Sequence, residues 1–200
     1  MADRLKNLDT IILVDGGTDS LMRGDEEGLG TPVEDMTSIC AVDQIPVPRK
    51  YLVCLGFGID AFHGVCHAHV LEAIADLTAS GGYLGAFSLL PSMPDVERFR
   101  QATQYVIDQT PDRPSIVCTS IVSAIAGKFG DYHCTDRTAG SELFINPLMG
   151  LYWFFKLEQV ARRVLYLRDI RDIDSYTQLE FHIRRFQNAL KLRVPRPLPM

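Results

Sequence analysis

Residues 10–20 read TIILVDGGTDS, an apolar run that ends in a carboxylate and two glycines. An uninterrupted apolar run rich in β-branched residues predicts a strand that is buried on both faces, as in a parallel sheet. Ligands of open α/β sheets bind beyond the carboxyl ends of the strands. We therefore expect a functional site at Asp15 and Asp19, extended by the acidic residues Asp25 and Glu26.

The same order of strand, glycine turn and helix recurs further along the chain. A second apolar run, residues 51–55, ends in Gly56-Phe57-Gly58-Ile59-Asp60, and a third strand is predicted at 83–90. Helices are predicted between the strands, the first of them opening at Thr31-Pro32. This β-α-β-α-β order implies parallel pairing and right-handed crossovers. The predicted fold class is α/β, with a mostly parallel sheet flanked by helices and a more helical C-terminal part.

Turn and capping residues predict the boundaries of several elements. Thr31 and Glu34 have the spacing of a capping box, at the start of a helix that runs to about Val42. An apolar helix is predicted over residues 115–125, and a short hairpin within 131–145. These boundaries follow from local sequence patterns, which do not predict which strands pair with each other.

Length and composition fit one globular domain. The chain has 200 residues, of which 46% are hydrophobic and 22% charged. We place one α/β domain over residues 1–193 and an extended, proline-rich tail over 194–200. No apolar stretch approaches the roughly 20 residues that span a bilayer, and the first residues lack the apolar core of a signal peptide. Five cysteines without a CxxC pair fit a reducing compartment, so we expect a cytoplasmic protein with no membrane partner.

Charge is distributed unevenly between the two ends. Residues 1–48 contain three basic and ten acidic residues, whereas residues 157–200 contain nine basic and five acidic residues. The two ends could attract each other, either within the chain or across a dimer. Acidic residues interrupt the basic end, which argues against a nucleic-acid partner.

The acidic loop after the first strand has two interpretations. In the functional one, Asp15, Asp19 and Asp25 converge as oxygen ligands for Mg²⁺ or Ca²⁺, because these hard cations favour carboxylates. In the other, the glycines make a tight turn, Asp19 caps it and the later acids face solvent. The loop has neither a P-loop nor a GxGxxG fingerprint, so there is no nucleotide cofactor motif. The candidate ligand-binding residues are Gly16, Gly17, Arg23, Glu26, Gly56 and Gly58.

A histidine cluster follows the second strand and forms the second candidate site. Asp60 with His63 and His67 could supply acid–base chemistry, and together with Asp15 these are the candidate catalytic residues. His63 and His67 are four residues apart, a spacing that suits zinc on one helix face, with Cys66 nearby. The helix is expected to begin only near Cys66, so zinc is the less favoured metal. Capping and polar packing at a helix N-terminus is the structural alternative.

Several stretches of the chain resemble domain-of-unknown-function family 1152. The stretches that carry the resemblance are 14–20, Arg23-Gly24-Asp25-Glu26, Thr31-Pro32, 56–60, 81–86 and Asn146-Pro147. The resemblance implies a three-layer, Rossmann-like α/β fold and no established activity. Family members of usual length begin with a further α/β portion that this chain does not match. The chain is therefore expected to be a shortened member, a fragment, or a protein that completes its sheet with a second copy.

Two functions of different classes are consistent with these patterns. The first is a metal-assisted, hydrolase-type enzyme acting on a small polar metabolite that bears a ribose or a phosphate. The second is a non-catalytic module that binds a ligand or partner and assembles as a homo-oligomer. The enzyme hypothesis requires the ends of the first two strands to lie side by side and to share a hollow.

Overall fold

The computed structural model describes residues 8–198. The strands are β1 (Thr10–Asp15), β2 (Arg49–Cys54), β3 (Tyr83–Ser88), β4 (Gly130–Asp131), β5 (Phe144–Ile145) and β6 (Leu151–Lys156). The helices are α1 (Pro32–Gln44), α2 (His67–Ala79), α3 (Pro94–Gln109), α4 (Ile116–Ile125), α5 (Leu157–Arg163) and α6 (Tyr176–Asn188). Within these described residues, no helix has both the length and the apolar character needed to cross a membrane. The chain is a mixed α/β protein.

Four strands form the main sheet, in the order β1-β2-β6-β3. β1 and β2 are parallel, while β6 lies between β2 and β3 and runs antiparallel to both. Strands β1, β2 and β3 share one direction, but the prediction that parallel pairing continues from β2 to β3 is wrong. The reason is the aromatic strand β6, LYWFFK, which takes the place between them and fully buries Phe155.

The two faces of the sheet differ in how far they are covered. On one face, Leu13, Leu52 and Phe155 pack into the main core beneath the helices. On the other face, Ile12 and Val14 of β1 are 55% and 64% exposed. The prediction that this strand is buried on both faces is therefore wrong, because α1 packs against its Leu13 side and leaves the Ile12 side open.

Several predicted boundaries are confirmed, and one predicted cap is not. α1 begins at Pro32, α4 begins after Ser115, and β4 and β5 form a short hairpin. The Ser115 hydroxyl accepts a hydrogen bond from the Cys118 N–H. The predicted capping box at Thr31 is wrong, because its side chain makes no capping hydrogen bond and instead donates to Asp19.

The acidic beginning and the basic end of the chain meet within the molecule. Arg193 forms ion pairs with Asp25, Glu26 and Glu72 at 2.9, 2.7 and 2.5 Å. Its backbone N–H donates to the Asp25 carbonyl, and its carbonyl accepts from the Glu27 N–H. Residues 194–198 form neither helix nor strand. Of the two interpretations of the charge asymmetry, pairing within the chain is therefore the one observed.

Candidate functional site

The ends of β1 and β2 lie side by side, as the sequence predicts. The strands pair in parallel through Asp15 and Cys54, and the Leu55 N–H donates to the Asp15 carbonyl at 3.3 Å. The turns that follow also approach each other, because a Cβ on Gly56 would lie 3.0 Å from the Gly16 carbonyl oxygen. Polar groups that follow these two strands are therefore brought to one edge of the sheet.

Three carboxylates converge at this edge, and we call Asp15, Asp19 and Asp35 the carboxylate cluster. One ligand oxygen from each residue lies within 4.8 Å of the other two. Asp15 is oriented by the Gly17 N–H at 2.9 Å and by the Ser20 hydroxyl at 2.5 Å. The glycine turn and the 3-10 turn Asp19–Leu21 that follows it therefore position the first carboxylate.

The other two members of the cluster are held by the start of α1. Asp19 Oδ2 accepts the backbone N–H and the hydroxyl of Thr31 at 2.7 and 2.8 Å. Asp35 stands in the first turn of α1, and its Oδ2 is buried without a hydrogen-bond partner among the described residues. A buried polar atom without a partner is costly, so this oxygen needs a proton or a cation.

A fourth carboxylate, Asp60, lies next to the cluster. It belongs to the 3-10 turn Ile59–His63, and its Oδ2 accepts a hydrogen bond from the Thr18 N–H at 2.8 Å. Gly17 permits this contact, because a Cβ at that position would clash with the same oxygen. Thr18 is 2% exposed, and its hydroxyl oxygen has no partner within residues 8–198. The two strand-end loops therefore enclose polar atoms that the protein itself leaves unsatisfied.

Burial and mutual repulsion make Asp15, Asp35 and Asp60 harder to ionise. Burial first, and then the charges of Asp19 and Asp15, raises the pKa of Asp35 to about 9. Burial, followed by the charge of Asp19, raises the pKa of Asp60 to about 7. The same two causes raise the pKa of Asp15 above its ordinary value. Throughout the described chain, no Lys, Arg or His forms an ion pair with any of the four. At neutral pH the group must retain protons or hold a cation.

The ligand atoms of the carboxylate cluster indicate which metals it suits. All of them are oxygen atoms, which hard cations such as Mg²⁺ and Ca²⁺ prefer to softer nitrogen or sulfur ligands. Among residues 8–198, the cluster is the only group of three or more His, Cys, Asp or Glu side chains close enough to share one ion. These oxygen ligands suit Mg²⁺ or Ca²⁺ by their chemistry.

The sequence matches the model of the family described as "Protein of unknown function (DUF1152)" over residues 1–188. The chain belongs to DUF1152. The resemblance inferred from the strand-end motifs is thereby confirmed. No curated protein and no solved structure matches the chain. The family description states no activity, so the function of this DUF1152 protein has to be argued from the site.

One predicted metal ligand of this DUF1152 protein, Asp25, lies outside the carboxylate cluster. Its carboxylate contacts the Arg23 and Arg193 guanidinium groups at 2.6 and 2.9 Å. Hydrogen bonds from Arg23 and then from Arg193 lower the pKa of Asp25 to about 2. Glu26 is 1% exposed and accepts the Arg23 N–H at 3.0 Å. Asp35 takes the place in the cluster that the sequence predicts for Asp25, whereas Asp25 and Glu26 bind Arg193 of the C-terminal segment.

The predicted histidines lie near the carboxylates but do not join them. His67 is the first residue of α2, its ring centroid lies 5.2 Å from that of Phe57, and burial lowers its pKa. Gly58 has a φ of +91°, and a Cβ there would lie 2.6 Å from His67 Nε2, so packing explains this glycine. His63 is exposed at the end of the 3-10 turn. Because Gly64 turns the chain between them, the two histidines do not share a helix face, which corrects the zinc alternative.

A cleft of about 420 Å³ opens beside Asp60 in this DUF1152 protein. Asp60 and His63 contribute to its wall, together with the start of α4 and the loop 137–143. The predicted ligand-binding glycines Gly16, Gly17 and Gly56 do not line this cleft. A Cβ on Gly17 or Gly56 would meet the opposite strand-end loop, whereas a Cβ on Gly16 would lie 3.1 Å from Val117 of α4, so these glycines allow close packing of the loops and of α4.

Asp35 is the site residue that sequence reasoning misses. Acidic residues are common in the first turn of a helix, so the residue type of Asp35 does not by itself indicate a functional site. Its position carries a signal, because Ile39 and Val42, four and seven residues later, are buried. Residues at this spacing share one side of a helix, so Asp35 lies on the core-facing side of α1. A carboxylate on the core-facing side of a helix requires a partner. An acidic residue at such a position can therefore be recognised from the sequence as a candidate site residue.

Proposed function

We propose that this DUF1152 protein is a metal-assisted hydrolase that acts on a small polar metabolite bearing a ribose or a phosphate. The observation that carries the proposal is the convergence of Asp15, Asp19 and Asp35, whose ligand oxygens lie within 4.8 Å of one another. Asp35 Oδ2 is buried without a partner, and no cationic side chain in residues 8–198 forms an ion pair with the cluster. A cation at this place would remove the repulsion and satisfy that oxygen.

Each carboxylate has a distinct role in this proposal. Asp15, Asp19 and Asp35 hold a divalent cation, Mg²⁺ or Ca²⁺, which when bound supplies Lewis-acid activation of water. Asp60 stands between the cluster and the cleft, where it moves a proton to or from the reacting group. His63, in the wall of the same cleft, contacts the substrate.

Divalent cations should therefore raise the thermal unfolding midpoint of the EDTA-treated protein. At a concentration about 100 times the Kd, a cation that binds only the folded chain stabilises it by about 2.7 kcal/mol. Intrinsic fluorescence during heating measures the effect of Mg²⁺, Ca²⁺, Mn²⁺ and Zn²⁺ in turn. Asp15→Asn and Asp35→Asn should abolish the rise, because each removes a ligand. Asp95→Asn, at a side chain that is 88% exposed, should keep it. If none of the four cations shifts the midpoint, the metal site is refuted.

A second candidate function, a non-catalytic binding module that homo-oligomerises, is favoured by the open side of the sheet. β1 is an edge strand, and its Ile12 and Val14 are mostly exposed. A second copy that covers this face would bury Ile12 and Val14. The cytoplasmic location expected from the cysteines stays a prediction.

A further inference from the structure

The cleft beside Asp60 has the size and the mixed lining of a small-molecule site. Its volume of about 420 Å³ falls within the roughly 300–1,000 Å³ that such sites occupy. Three segments distant in sequence form it: the 3-10 turn Ile59–His63, the start of α4, and the loop 137–143. Asp60 belongs to the wall, and its Oδ2 also accepts the Thr18 N–H of the loop after β1, so this one carboxylate connects the cleft with that loop; Asp15, Asp19 and Asp35 do not line the cleft.

Arg137 supplies a positive charge that the protein leaves without an ion pair. One of its terminal nitrogens, Nη1, donates to the Pro114 carbonyl at 2.5 Å, and among the described residues the side chain forms no salt bridge. The bond to Pro114 holds the guanidinium at the cleft, where Nε and Nη2 stay available. A planar guanidinium with two free donors suits a phosphate group.

Two serine hydroxyl groups also line the cleft. Ser115 lines the cleft, and its oxygen already accepts the Cys118 N–H, so its proton is available to a ligand. Ser141 also lines the cleft. A phosphate near Arg137 and Ser115 would be bound by charge and by hydrogen bonds, while the carboxylates of Asp60 and Glu142, which also line the cleft, would face its uncharged parts.

Phe62 lines the cleft with an apolar ring, whose contact with the His63 ring is edge-on at 5.4 Å between centroids. Its side chain is 74% exposed and lies between this cleft and a second one of about 600 Å³. Ile59 and Leu143 line both clefts beside it. An exposed aromatic ring flanked by aliphatic side chains is a stacking surface for a planar ring.

We infer that this cleft binds a nucleoside monophosphate, a phosphate ester that combines a charged group, sugar hydroxyls and a planar ring. The phosphate contacts Arg137, the ring stacks on Phe62, and the hydroxyls face Asp60. This inference names the substrate class of the proposed function. The hydrolysis of the ligand rests on that proposed function, whereas the binding of the ligand does not.

Calorimetric titration with AMP, adenosine and ribose 5-phosphate in Ca²⁺-containing buffer tests the inference. We expect AMP to bind at least about tenfold more tightly than either fragment, which corresponds to about 1.4 kcal/mol. Arg137→Met should weaken AMP about tenfold and leave adenosine unchanged, because only the phosphate contact is lost. Phe62→Leu should weaken AMP and leave ribose 5-phosphate unchanged, because only the stacking surface is lost.

Two matched variants control for general effects on the surface. Arg98→Met and Phe181→Leu alter side chains that are 79% and 66% exposed on α3 and α6, and both should bind AMP as the wild type does. Absence of AMP binding, or AMP binding that neither Arg137→Met nor Phe62→Leu weakens, overturns the inference. Phe62→Leu changes an exposed side chain, so it gives a result even if Arg137→Met unfolds.

The test separates this inference from the proposed function. A chain whose midpoint responds to cations but which binds none of the three probes refutes the nucleotide cleft and leaves the metal site standing. A chain that binds AMP through Arg137 and Phe62 but does not respond to any cation supports the cleft and refutes the metal-assisted mechanism.

Discussion

At the scale of single residues, the site brings together carboxylates whose burial and proximity favour a retained proton or a bound cation, most clearly at Asp35. Asp35 and Asp60 have raised pKa values because they are buried and because Asp19 lies close to both. The raised values have a thermodynamic consequence, since a proton retained on folding makes stability depend on pH.

In EDTA, the free energy of unfolding should fall between neutral pH and about pH 9. Over that range the unfolded chain has already released the Asp35 proton, whose ordinary pKa is 3.8, while the folded chain retains it up to about 9. The folded state therefore binds more protons and loses stability as the pH rises, by at most about 1.4 kcal/mol per pH unit. Denaturant unfolding at a series of pH values measures this slope.

The control for this slope is a carboxylate that is not buried. Asp35→Asn should flatten the decline, whereas Asp95→Asn should leave it unchanged, because the Asp95 side chain is 88% exposed. A wild-type stability that stays level from neutral pH upward would show that Asp35 is already ionised.

At the scale of elements, the acidic loop is clamped by the segment that follows α6. Arg193 pairs with Asp25, Glu26 and Glu72, and its backbone forms an isolated parallel bridge with Glu26. Glu26 is 1% exposed, so its charge depends on these contacts. The end of the chain thus stabilises the loop that follows β1.

Arg193→Ala should lower the free energy of unfolding by about 3 kcal/mol, because it leaves Glu26 buried without its charged partner. Arg184→Ala is the matched control, since it removes an ion pair with Glu180 in which the arginine is 74% exposed. Arg184→Ala should lower the free energy of unfolding by less than about 1 kcal/mol. Denaturant unfolding of both variants measures the difference, and equal costs would mean that the clamp contributes nothing.

At the scale of the whole molecule, one side of the sheet is open at β1. The order β1-β2-β6-β3 leaves β1 at an edge, and Ile12 and Val14 of this strand are each more than half exposed. Exposed apolar patches beside a free strand edge are typical of association surfaces.

Light scattering should therefore report a homo-oligomer. Val14→Lys should dissociate it into monomers, because the substitution places a charge on the open face. Val106→Lys changes an apolar residue of α3 that is 47% exposed, and should leave the assembly intact. High salt should not dissociate it, because the charged ends of the chain are paired internally. A wild-type chain that is monomeric at every concentration would eliminate the binding-module hypothesis.

The sequence by itself determined the features that depend on neighbouring residues. The apolar run before Asp15, the glycine turn after it and the helix start at Pro32 are local patterns, and the structure confirms each of them. Because β1 and β2 are parallel neighbours, the placement of Asp15, Asp19 and Asp60 near one edge also follows from local reasoning.

Only the tertiary structure decided which acids belong to the cluster and how the sheet is completed. Asp25 leaves the predicted ligand set because Arg193, 168 residues later, binds it, and Asp35 enters because α1 packs beside the glycine turn. β6 separates β2 from β3 although it follows them by more than sixty residues. These contacts join segments far apart in the chain, and a local pattern of residue types carries no information about which distant segment will supply the partner.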